Sequence, residues 1–156
     1  MLLTRHLDAN APLVSLIEPL ATRDGFVPTQ LPGVQVLRAS QDVARGPQLY
    51  EPSLVIIVQG SKLAFLGPRT LEYGAGHYLI QALPVPFECE TYAMPNAPLL
   101  GVSVAIDRAI LGELVLAMGL VPGRSLAPQT PESMTCAVLD DAMCGCVERL
   151  LHCLHD

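Results

Sequence analysis

A mainly β chain with flanking helices is predicted, and three observations predict it. Between Val34 and Ile106 the sequence divides into seven short apolar or β-branched runs, separated by Gly/Pro breaks at near-even intervals. On either side the apolar period lengthens to that of a helix. With 51% hydrophobic and 15% charged residues, the 156-residue chain has material for one packed core and too little charge for disorder.

The first 30 residues predict a short helix and a tether. Pro12 suits a first helical turn, Leu13, Leu16, Ile17 and Leu20 share a face, and Pro19 argues for an early end. Arg23-Asp24-Gly25, Pro28 and Pro32-Gly33 read as extended chain and turn. The predicted strands are Val34–Ala39, Leu54–Gln59, Lys62–Leu66, Arg69–Tyr73, His77–Gln81, Phe87–Tyr92 and Leu99–Ile106. Gly60-Ser61 and Gly67-Pro68 are breaks of hairpin length, and Gly74-Ala75-Gly76 is another tight turn. Such spacing predicts a sandwich or barrel over about 33–106 rather than βαβ units.

Asp107 is a natural N-cap for a helix over about 107–119, with Ile110, Leu111, Leu114, Val115 and Met118 on one face and Gly119 to end it. Pro122 to Pro131 reads as a loop. A second helix is predicted over about 134–155, with Leu139, Met143, Val147, Leu150 and Leu154 in a stripe spaced close to a seam that could pair with its symmetry mate. The competing expectation is that this stripe packs on its own barrel. The helix has no Gly or Pro stop, so the chain is expected to continue past Asp156 within a longer protein. The whole of 1–156 reads as one domain.

Charge and cysteine content narrow the function. Nine Lys and Arg against fifteen Asp and Glu give a net charge of −6, and Lys62 is the only lysine. Duplex binding needs a concentrated basic face, which these residues lack. Five cysteines, four of them among the last 21 residues, make a poor disulfide framework and fit a reducing compartment. With no apolar run near the ~18 residues of a membrane span, and Thr4-Arg5-His6 closing off a signal segment at once, a cytoplasmic location is expected.

Tyr50-Glu51-Pro52, Gln59-Gly60-Ser61-Lys62 and Tyr73-Gly74-Ala75-Gly76-His77-Tyr78-Leu79, followed by Leu83-Pro84-Val85-Pro86, Ala97-Pro98-Leu99 and Asp107, resemble the N-terminal domain of AraC/XylS-family transcription regulators. The resemblance covers roughly residues 10 to 120, and Ala75 departs from it where proline is usual. It implies a cupin-like double-stranded β-helix that binds a small effector and contributes to a homodimer. DNA binding would lie in a separate C-terminal helix-turn-helix domain that this chain does not contain, so promoter DNA would be a partner only through that domain.

A metal-dependent cupin enzyme is the main alternative, and a dimerisation domain without a ligand is another. Metal cupins use two His and a Glu in one motif and a third His in another. Registered on Gly60 and Gly76, those positions fall on Pro47, Leu49, Ser53 and Phe87, none of which is a normal ligand. No metal, no cofactor and no catalytic residue is therefore expected. Cys144 and Cys146, two apart on a helix, face different sides and do not make a zinc pair. In Phe87–Tyr92 the acidic alternate positions should be wet, which turns Phe87, Cys89 and Thr91 inward. These three form the candidate ligand-binding set with Tyr50, Gln59 and Lys62. Lys62 could hold an acidic effector or, if desolvated, form a Schiff base with an aldehyde. The plainer expectation is a solvated strand lysine, with Tyr50 and Gln59 packing a turn and an edge.

Overall fold

The computed structural model describes residues 2–93, 96–119 and 132–155, with side chains from residue 10 onward. Helix α1 (Leu2–Ile17) is followed by strands β1 (Gly25–Pro28), β2 (Val34–Ala39), β3 (Val43–Leu49), β4 (Ser53–Gln59), β5 (Ser61–Leu66), β6 (Arg69–Gly74), β7 (His77–Gln81), β8 (Pro86–Tyr92) and β9 (Leu99–Ala105). Helix α2 (Arg108–Ala117), strand β10 (Met134–Val138) and helix α3 (Asp141–Cys153) complete it. One sheet has the order β1-β2-β9-β4-β7-β10 and the other β3-β8-β5-β6. Strands β2 to β9 therefore form two facing antiparallel sheets of four, the jelly-roll arrangement of a double-stranded β-helix, with β1 and β10 added at the edges of one sheet.

All seven predicted strands are present. Three strands were not predicted, and all three lie at sheet edges. Strand β3 carries Gly46 and Pro47, is almost wholly solvent-exposed and shifts register between Val43 and Gly46, so it has no alternating apolar signal. The predicted helix over 134–155 is corrected at its start: Met134–Val138 pairs with β7, turning Met134 and Cys136 into the barrel, and helix begins only after the Asp140 cap. Pro12 sits inside α1 rather than in its first turn. The predicted loop Pro122–Pro131 lies outside the described residues.

Strand β4 is central in its sheet and apolar on both faces because both faces are covered. Ile56 and Val58 meet α1 and α3 in an outer core with Leu13, Ile17, Val36, Val102, Val147 and Leu151. Val55 and Ile57 point into the barrel with Leu37, Ala64, Tyr73, Leu79, Phe87, Cys89 and Met134. Two glycines permit this packing. At the β4–β5 turn Gly60 has φ +83°, and a Cβ there would stand 2.9 Å from the Tyr92 carbonyl oxygen. A Cβ on Gly101 would stand 2.5 Å from the Ile56 carbonyl oxygen, where β9 lies against β4.

The two C-terminal helices differ in use. The α3 stripe packs on the protomer's own barrel and on α1: Leu139, Val147 and Leu154 are buried there, and Met143 and Leu150 are half-buried against the same cluster. This is the packing of the competing expectation, with Leu139, Val147 and Leu154 covered within one protomer. Helix α2, capped by Asp107 through the Ala109 and Ile110 amides, has no buried residue. Its Ile110, Leu111, Leu114 and Met118 are exposed.

Candidate functional site

The barrel interior holds a lysine. Lys62 on β5 is flanked in register by Tyr73 on β6 and Thr91 on β8, and directly opposed residues of neighbouring strands share a face. All three point inward and are buried. Lys62 is only 6% exposed. Its Nζ lies 3.5 Å from the Tyr50 hydroxyl oxygen and 3.7 Å from Cys89 Sγ, to both of which it can donate. Tyr73 Oη lies 3.9 Å from the same sulfur. Among the described residues no carboxylate pairs with the ammonium.

An unpaired buried charge is costly, and the titration of these groups reflects it. Burial pushes the Lys62 ammonium below the ordinary lysine range, opposed in part by the Cys89 sulfur. Burial likewise raises the Tyr50 phenol, as does Cys89. Burial, Tyr50 and Cys89 raise the Tyr73 phenol. Both tyrosines therefore stay protonated at neutral pH and act as neutral hydrogen-bond partners.

Tyr50 connects this cluster to the outside. Its ring is held edge-on between Phe26, at 5.5 Å between centroids, and Phe87, at 5.0 Å. These rings stand at the end of the barrel where β1, β3 and β9 finish and β2 and β4 begin. A cavity of about 540 Å³ opens there, lined by Phe26, Leu31, Leu49, Tyr50, Ser53 and Ser103 among others. The volume is that of a small-molecule site. It lies at the mouth; the deeper barrel is filled by side chains, with Leu79, Tyr73 and Met134 fully buried. Gln81, fully buried and paired with Ser53 across β4 and β7, donates from Nε2 to the Leu83 carbonyl and leaves its inward amide oxygen without a partner.

Five of the six candidate ligand residues come together here: Tyr50, Lys62, Phe87, Cys89 and Thr91. Gln59 does not join them. It follows a register shift at the end of β4, donates to the Pro98 carbonyl at 2.7 Å, and lines a separate surface hollow beneath α1 with Ala11 and Val14. Tyr73 was missed, although the alternation of Leu71 and Tyr73 against Glu72 signals its direction. The barrel-facing Ser53, Gln81 and Ser103 carry no such signal, because small polar residues near strand ends read as turns.

For a cation the donor set is wrong. Pro47 and Leu49 lie on the exposed edge strand, Ser53 and Phe87 face the interior without ligating capacity, and the Lys62 ammonium would repel a metal ion. Among the described residues no group of three His, Cys, Asp or Glu side chains could hold one. No helix among them is long and apolar enough to cross a membrane.

Comparison with known proteins agrees with this architecture. ToxT from Vibrio cholerae superposes with a TM-score of 0.57 at 9% identity, covering 76% of this chain and 46% of that one. An apo ToxT variant from Vibrio cholerae strain SCE256 gives 0.55 at 8% identity, over 84% and 49%. A structure of wild-type ToxT from the same strain with an unsaturated fatty acid bound gives 0.48 at 6% identity, over 78% and 47%. At such identities the likeness of the first two is one of fold. The chain spans about half the length of each ToxT chain. No curated protein matches. The family described as the AraC-type transcriptional regulator N-terminus matches residues 30–156, most of the chain and all of the jelly roll beyond β1, and the protein belongs to that family.

Proposed function

We propose that this chain is the effector-sensing part of a cytoplasmic AraC-type regulator and not an enzyme. A small, largely apolar molecule would enter the mouth cavity, lay its apolar body against Phe26 and Tyr50, and direct a polar group past Tyr50 at Lys62. One observation carries this reading: the chain's only lysine is buried, with no counter-charge among the described residues, directly behind a residue that walls a ligand-sized cavity. A fold that gained nothing from that amine would be more stable without it. The ligand would bias the arrangement of attached DNA-binding units by no more than its differential affinity for their two arrangements.

Dimerisation belongs to the same reading, through a surface other than the buried α3 stripe; α2 leaves an apolar face in solvent for it. A thermal-shift screen of small acids, aldehydes and aromatics tests the sensing role. Compounds that raise the Tm of the wild type should do so much less for Lys62→Met. A screen in which none does, or in which the two proteins respond alike, would leave a structural dimerisation domain as the better account.

A further inference from the structure

We propose that Lys62 captures a carbonyl compound, an aromatic or short aliphatic aldehyde, as a reversible imine. This rests on the effector reading above and names the ligand class of that site. Three features of the geometry point to it. Among the described residues the Nζ atom has a phenol and a thiol within reach and no carboxylate, so no ion pair fixes it as an ammonium. Imine formation needs the free base, which an ordinary exposed lysine populates only to about one part in a thousand at neutral pH. And Tyr50, which lines the cavity and carries its hydroxyl 3.5 Å from the amine, is placed to shuttle the protons that the reaction moves.

The chemistry balances with no added oxidant or reductant. The nitrogen lone pair forms a C–N bond to the carbonyl carbon as the π pair moves to oxygen. One nitrogen proton passes to that oxygen, giving a carbinolamine. The C–O bond then breaks while Tyr50 Oη protonates the departing hydroxyl, so that water leaves and the nitrogen lone pair closes the C=N bond. The remaining nitrogen proton returns to Tyr50. The flat rings of Phe26 and Tyr50, which line the cavity, favour an aryl or alkyl substituent on the carbonyl carbon. Capture would convert a buried lysine that disfavours its charge into a neutral adduct.

Because the chain has a single lysine, labelling reads one side chain. The protein is incubated with benzaldehyde and cyanoborohydride at neutral pH, and the benzyl adduct is located by peptide mass mapping. Arg108→Lys supplies an exposed reference lysine on α2 in the same molecule. Lys62 should be benzylated at least about tenfold faster than that reference, an advantage lost in urea. Tyr50→Phe should slow the labelling of Lys62 about tenfold or more. An unmodified Lys62, or one labelled no faster than the reference, overturns the imine. If benzyl alcohol still raises Tm in that case, the sensing role stands. If benzoate stabilises and benzaldehyde does not, the amine is an ion-pair partner instead and the imine fails. If no compound shifts Tm, both readings fail.

Discussion

The same sheet faces two interiors of different composition. Against α1 and α3 its side chains meet Leu, Ile, Val and Ala, with buried Asn10 of α1, whose Nδ2 has no partner, as the exception. Inside the barrel the apolar lining is broken by Lys62, Tyr50, Tyr73, Cys89, Thr91 and an amide oxygen of Gln81 with no partner. An interior selected for stability alone excludes a buried ammonium, which is costly without an ionic partner. The helix-facing core thus accounts for cohesion, and the barrel interior carries a demand that cohesion does not explain.

That contrast can be broken by substitution. Leu151→Ala, fully buried in the outer core, should lower stability by about 2–5 kcal/mol and leave ligand-induced Tm shifts in place, read by urea denaturation and thermal shift. Gly101→Ala should cost about 1–3 kcal/mol or more by pushing β9 off the Ile56 carbonyl, with the same assays. Lys62→Met should go the other way, raising stability at neutral pH by about 1–3 kcal/mol while greatly weakening ligand response.

The pH dependence of that gain has a definite sign. Below the depressed Lys62 value both folded and unfolded chains hold the proton, and the fold carries the full penalty. Between that value and about 10.4 the unfolded chain binds more protons, so wild-type stability climbs with pH and the gap to Lys62→Met narrows. Above about pH 10 the unfolded tyrosines ionise while Tyr50 and Tyr73 resist, which lowers both proteins together. Denaturation curves of the two proteins at pH 7, 8.5 and 10 check this. The smallest effect belongs to α2: Leu114→Glu should change monomer stability by less than about 0.5 kcal/mol. In sedimentation it should shift a dimer paired through α2 toward monomer.

Much of the architecture could be read from residue order, and the misses follow a rule. Strands inside the sheets carry alternation or continuous apolar runs, so Leu54–Gln59 and Leu99–Ile106 stand out. Edge strands such as Val43–Leu49 take their identity from a neighbour rather than from their own composition, and Gly46 and Pro47 conceal it further. Met134–Val138 was absorbed into the following helix because Leu139 and Met143 continue a plausible stripe. For the site, alternation placed Phe87, Cys89 and Thr91 correctly, since the intervening glutamates mark the wet face. Gln59 misled because the register shift at the end of β4 changes which way it points, and such shifts leave no mark in the sequence. The α3 stripe shows a further limit: periodicity reveals that a helix has an apolar face, but not whether its own subunit or another covers it.

The central claim is that Lys62 sits desolvated inside the barrel and meets the ligand there. A chain with one lysine gives one side-chain amine resonance when lysine is labelled with ¹³C at Cε, and its titration can be followed by NMR. The account predicts a midpoint clearly below the ordinary value of about 10.4, and a signal that moves when a stabilising compound binds. A midpoint near 10.4, with a resonance indifferent to every such compound, would contradict it.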